Sequence, residues 1–169
     1  MKNLFTSILL VCLIMSCQQE KIGFVDNSKL INDYQEKKDL EDKLQIKINA
    51  FQKRTDSLRQ VFQLEINEAE LKARKMTQAD LQKLSQELQQ KEQILSQRVQ
   101  FEQKQISDES QAKTDSLIKK VKKFIQDYGK ANGYSYILGS NEAGSVMYGK
   151  DENDLTQPIL DALNKSYKE

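Results

Sequence analysis

The stretch Leu44–Phe62, LQIKINAFQKRTDSLRQVF, carries Leu44, Ile48, Phe51, Thr55, Leu58 and Phe62 at alternating steps of four and three. That spacing lays one side chain per turn along a single stripe of an α-helix, the a and d positions of a heptad, with Thr55 its one polar member. Working outward, the 105 residues between Gly23 and Gly129 contain neither glycine nor proline, while five of the six glycines and the only proline come after Tyr128. A breaker-free stretch rich in Glu, Lys, Gln and Leu reads as long helix. Leu81, Leu84, Leu88, Leu95 and Val99 form a second stripe, and Leu117, Val121, Phe124 and Tyr128 resume it after a polar interval. With few apolar residues to lock it, the interval 102–114 is expected to be pliable.

A helix-start signal interrupts the stretch at RKMTQADLQK, where Thr77 is followed three residues later by Asp80. Dividing the chain there gives arms of residues 29–75 and 77–128, each about 70–80 Å long at 1.5 Å per residue. Near-equal arms predict an antiparallel hairpin with its tip near 76–80. The rival reading is one continuous coiled coil. Five i,i+4 pairs with the acid first support exposed helix: Asp39–Lys43, Glu68–Lys72, Glu70–Arg74, Glu87–Lys91 and Asp115–Lys119. No carboxylate pair stands out for acid–base work.

Strand character appears at the two ends. KIGFVDN places Ile22 and Phe24 on one face, and YSYILGS and SVMYG are β-rich segments separated by the turn signal NEAG. A last helix is expected in LTQPILDALNKSYKE, capped by Thr156, with Pro158 in its first turn. The predicted architecture is mainly α: a long antiparallel helical hairpin, residues 29–128, on a small β body of residues 21–28 and 129–169. Ile22, Phe24, Tyr136 and Leu138 are candidates for the core of that body or of an oligomer. About 51 residues make a poor core alone, so self-association is expected.

Lys2 and Asn3, the apolar segment Leu4–Met15 and the small residue Ser16 form a signal peptide over residues 1–16. A segment of twelve residues is too short to cross about 30 Å of hydrocarbon. Cys12 falls inside the leader, and Ile14-Met15-Ser16-Cys17 resembles a bacterial lipobox, which makes Cys17 the lipidation site and residues 17–20 a lipidated linker. The plainer alternative is an ordinary leader that leaves Cys17 a free thiol. No second cysteine survives cleavage, so the mature chain has no internal disulfide. The chain contains no histidine, which excludes His-dependent triads and His-containing zinc sites.

The order of leader, KIGFVDNSKLI strand, breaker-free hairpin, GYSYILGSNEAGSVMYG and NDLTQPILDALNK resembles the Skp/OmpH family of periplasmic chaperones across nearly the whole mature chain. The resemblance implies a homotrimer in which each chain gives strands to a central β body and one hairpin as a tentacle. It implies an ATP-independent holdase, with no cofactor and no chemistry, enclosing unfolded outer-membrane proteins. Well-known members are soluble and strongly basic, whereas loss of residues 1–16 leaves this chain with 25 basic and 25 acidic residues. Steering by net charge is therefore weak, and nucleic acid is a poor partner. The tether is a second departure; Gln18, in place of the aspartate that retains lipoproteins at the inner membrane of enteric bacteria, favours the outer membrane.

Leu64 and Leu71 lie off the stripe of the first arm, and Ile94 and Phe101 flank that of the second; these four are the client-facing candidates, weighed against ordinary scattered exposure. Lys72, Arg74, Lys75 and Lys83 form a basic tip, and Lys119, Lys120, Lys122 and Lys123 a basic patch that could meet lipid, against the blander reading of solvated lysines. Eleven glutamines between Gln78 and Gln111 offer adaptable hydrogen bonds to an unfolded backbone, or simply keep a helix soluble. The competing function is a membrane-tethered scaffold whose coiled coil binds one folded envelope partner.

Overall fold

The computed structural model describes residues 20–141 and 145–168. Its elements in chain order are β1 (Ile22–Asp26), α1 (Asn27–Asp33), α2 (Gln35–Ala73), α3 (Gln78–Ala131), β2 (Tyr136–Ser140), a 3-10 turn (Asp151–Asn153) and α4 (Thr156–Lys168). They fall into two units, one of residues up to 35 together with those from 119 onward, the other of residues 36–118. The expected signal peptide, residues 1–16, and the expected lipidation site Cys17 lie outside the described residues.

In the second unit, α2 and α3 run antiparallel as a helical hairpin. Its stripe is filled as the heptads require: Leu44, Thr55 and Ala69 are buried on α2 and Leu117 on α3, with Ile48, Phe51, Leu58, Phe62, Leu95 and Val99 half-buried. The helices are separated by residues 74–77, where the Lys75 and Met76 amides donate to the Lys72 and Ala73 carbonyls. Thr77 caps α3: its hydroxyl accepts from the Asp80 amide at 3.3 Å and donates to the Asp80 carboxylate at 2.7 Å. Of the i,i+4 pairs expected from sequence, Glu68–Lys72 closes loosely at 3.8 Å. Glu70–Arg74, Glu87–Lys91 and Asp115–Lys119 do not close, because Lys91 reaches across to Glu65 and Asp115 accepts from Gln111.

The first unit is built on a parallel pair, β1 with β2, in register Ile22↔Tyr136 to Asp26↔Ser140. Parallel pairing is possible because the long helices return the chain to the start of the sheet. Asp26 ends β1 and caps α1, accepting from the Ser28 and Lys29 amides at 2.9 Å. The helix α3 stops in a Schellman arrangement: Gly133 adopts φ 69°, and the Tyr134 amide donates to the Gly129 carbonyl at 2.9 Å. Thr156 is not the simple cap that its position suggested. Asp154 accepts from the Thr156 amide and hydroxyl, while the Thr156 hydroxyl accepts from the Asp26 amide at 2.9 Å, tying the start of α4 to the end of β1.

The core of this unit comprises Val25, Leu30, Tyr34, Leu155, Ile159, Leu160 and Leu163, with Val121. The buried face of β1 is the one carrying Gly23 and Val25, not the one carrying Ile22 and Phe24. SVMYG forms no strand; Met147 and Tyr148 are 89% and 85% exposed, and Gly149 lies so close over the Phe24 ring that a Cβ there would collide with it. Most of the expected NEAG turn, residues 142–144, lies outside the described residues.

Candidate functional site

Two surfaces stand out, one in each unit. The register of the sheet brings the four body candidates together, Ile22 beside Tyr136 and Phe24 beside Leu138, so all four project from one face. That face is open: Ile22, Tyr136 and Leu138 are 42%, 57% and 46% exposed, and Phe24 is half-buried under Gly149. Among the described residues the outer edge of β2 has no partner strand, whereas β1 is closed on its far side by a bridge from Phe24 to Asp154.

On the hairpin, the four client-facing candidates are all exposed by more than half but fall on different faces. At 100° per residue, Leu64 and Leu71 sit roughly 160–180° round α2 from the packed stripe at Phe62, whereas Ile94 and Phe101 sit about 100–120° from Leu95 on α3. Ile94 shares a depression of about 260 Å³ with Val61, Leu58, Phe62 and Leu95. The structure thus separates Leu64 and Leu71 from Ile94. Val61 and Ile46, 52% and 68% exposed, are apolar positions that sequence reading passed over.

The basic groups also divide. Lys72 lies in the last turn of α2 beside Glu68, while Arg74, Lys75 and Lys83 have no acidic partner among the described residues. In the patch on α3, Lys123 is tied to Asp127 at 2.8 Å and lowers the Asp127 pKa, and Lys120 lies 5.6 Å over the Tyr167 ring.

The polar interval of α3 is bridged by charge. Lys47 donates to both oxygens of Glu109 at 2.7 and 2.6 Å, and Lys113 joins from the next turn at 2.6 Å. Seven residues along α2 and seven back along α3, Arg54 meets Glu102 at 2.7 Å, with Arg98 alongside at 3.5 Å; eleven further, Glu65 meets Lys91 at 2.8 Å. Hydrogen bonds from Lys113 and Lys47 lower the Glu109 pKa to about 2, and the Arg54 hydrogen bond holds Glu102 below the usual carboxylate range. These are exposed pairs, individually weak, that fix register more than they add stability.

The family described as "Outer membrane protein (OmpH-like)" matches residues 21–163 of the 169. The chain belongs to the OmpH-like family. No curated protein matches this sequence. A solved structure from Caulobacter crescentus CB15, named as a candidate OmpH-like outer membrane chaperone, shares the fold with a TM-score of 0.77 at 18% identity, over 87% of this chain and 85% of that one.

The inter-arm ion pairs of this OmpH-like chain were hidden from sequence reading. Their partners are 62, 48 and 26 residues apart and are matched only once the hairpin register is known. The signal that could have found them is Lys47, Arg54 and Glu65 beside the α2 stripe, facing Glu109, Glu102 and Lys91 when the arms are folded at Thr77. Among the described residues there is no cluster of acidic or cysteine side chains able to hold a metal ion, and no helix long and apolar enough to cross a membrane.

Proposed function

We propose that this OmpH-like chain is an ATP-independent holdase that keeps unfolded outer-membrane proteins from aggregating in the periplasm. It acts as a homotrimer, held at the outer membrane by a lipid on Cys17. The observation that carries the reading is the hairpin surface: Val61, Leu64, Leu71, Ile94 and Phe101 are each more than half exposed and spaced among charged and amide side chains. Such a surface stays soluble yet offers many weak apolar contacts, which is what a disordered client with no fixed shape can use.

The open sheet face of Ile22, Phe24, Tyr136 and Leu138, beside an unpaired strand edge, supports self-association through the small first unit. The basic groups at Arg74, Lys75 and Lys83 supply local attraction for acidic client segments or anionic headgroups that a neutral chain otherwise lacks. No step in this activity needs a catalytic group or a nucleotide.

The test is dilution of a urea-unfolded outer-membrane barrel into the mature chain carrying Cys17→Ser. Suppressed light scattering with several unrelated unfolded barrels, and no binding to the same barrels once folded, is the expected result. Binding to one folded envelope protein without protection of unfolded ones would replace the holdase with a tethered scaffold. In cells, Cys17→Ser should move the chain from the membrane fraction to the soluble periplasm; unchanged fractionation would refute the lipid anchor.

A further inference from the structure

The three inter-arm ion pairs leave another side of the hairpin with almost no charge. None of Lys47, Arg54, Glu65, Lys91, Glu102 or Glu109 lines the two adjoining depressions there, of about 430 and 360 Å³. Their floor is apolar, with Ile48, Phe51, Leu58 and Phe62 from α2 and Val99 and Ile106 from α3. Their rim is amide and hydroxyl: Gln52, Gln100, Gln103, Ser107 and Gln111. In a chain that is 30% charged, the larger depression has no charged lining residue at all, and the smaller has only Arg59 and Glu92.

The groove exists because the two arms are mismatched. From Leu44 to Phe51 the α2 stripe is apolar, but opposite it α3 offers Gln103, Ser107, Ser110 and Gln111, with Ile106 the one large apolar residue. Small and amide side chains cannot fill the space that leucines would, so the floor stays accessible although the ion pairs hold the arms together.

We infer that this groove is a docking track for a single extended segment of alternating apolar and polar residues, such as one unfolded strand of a membrane β-barrel. The inference rests on the holdase reading and adds, to the scattered exposed apolar contacts, a separate track for one strand of the client. Chemistry and length both fit. Alternate side chains of an extended segment point to opposite faces, so one face presents only apolar groups to the floor while the unpaired backbone amides and carbonyls lie level with the Gln and Ser rim. Glutamine both donates and accepts, and so serves a backbone of any sequence. The scarcity of charge, with Arg59 and Glu92 its only charged lining residues, spares such an uncharged segment most of the cost of stripping water from ions. From Leu44 to Phe62 the floor runs roughly 27 Å, at 1.5 Å per helical residue, which holds about eight extended residues at 3.3 Å each. A barrel strand that crosses a membrane has about 9–11.

The experiment uses the full mature chain with Cys17→Ser and a photo-crosslinking residue at Gln103 or, for comparison, at Gln105, which lies outside the groove. The probes are a urea-unfolded barrel, an end-blocked decapeptide of alternating apolar and polar residues, and a peptide of identical composition with its apolar residues clustered. The inference predicts capture of the barrel at position 103, competed about tenfold better by the alternating peptide than by the clustered one. It also predicts about tenfold weaker peptide binding when Gln52→Glu and Gln103→Glu put charge on the rim, with no change for Gln105→Glu, outside the groove. Circular dichroism confirms that the exposed substitutions leave the helices intact. Equal capture at 105 and 103, or rim charges without effect, in a chain that still suppresses barrel aggregation would overturn the groove and leave the holdase standing. Failure to suppress aggregation at all would overturn both.

Discussion

Two leucines of similar chemistry should behave in opposite ways. Leu163 on α4 has no exposed surface, whereas Leu64 on α2 is 62% exposed on the face of α2 away from the packed stripe. Leu163→Ala removes three carbon groups, about 2.4 kcal/mol of transfer free energy at about 0.8 kcal/mol each. A residual cavity of about 50 Å³ would add about 1.2 kcal/mol, so the total is roughly 3.5 kcal/mol, within the range of about 2–5 kcal/mol usual for such changes. Leu64→Ala should stay within about 0.5 kcal/mol of the parent, as surface substitutions do. Urea unfolding followed by circular dichroism at fixed protein concentration measures both, and barrel aggregation measures function. Leu163→Ala should lower the midpoint strongly, while Leu64→Ala should leave it alone and weaken client protection. Equal destabilisation by the two would refute it, because Leu64 would then be packed rather than presented.

Acid should loosen the middle of the hairpin first. The lowered carboxyl pKa values of Glu109, about 2, and Glu102 mean that their contribution is fully present above the unfolded value near 4.5 and is lost as pH falls through the folded values. Amide exchange at residues 47–54 and 102–110 should therefore rise between pH 4.5 and 2 relative to residues 156–163; uniform exchange would contradict this. Gly133→Ala, at φ 69° with no atom within 4 Å of the added methyl, should cost about 1 kcal/mol from backbone strain alone, and an unchanged melting temperature would argue against the Schellman cap. Asp154→Ala removes the acceptor for the Thr156 amide and hydroxyl and should cost about 1–2 kcal/mol, read by the same urea titration; Asp154→Asn should recover part of it.

The hairpin was legible because its signals are local: heptad spacing from Leu44 to Phe62, an uninterrupted run free of Gly and Pro, and Thr77 with Asp80 at the tip. The alternation at Ile22 and Phe24 was also legible, and the register confirms that they share a face with Tyr136 and Leu138. Alternation does not say which face is inside, and here Val25, beneath α4, took that place. SVMYG has strand composition, but composition supplies no partner edge, and Gly149 packs on Phe24 instead. The polar interval 102–114 read as soft because the partners that reinforce it, Lys47 and Arg54, are far away in sequence. The Gln and Ser rim was visible as a composition; that it borders an apolar floor follows only from the pairing of the two arms.

The trimeric holdase is tested by the mass in solution, by light scattering, of the mature chain with Cys17→Ser, alone and after a urea-unfolded outer-membrane barrel is diluted into it. The expected result is three times the chain mass, rising by the mass of one client with no precipitate. A monomer or dimer from whose solution the client precipitates would contradict it.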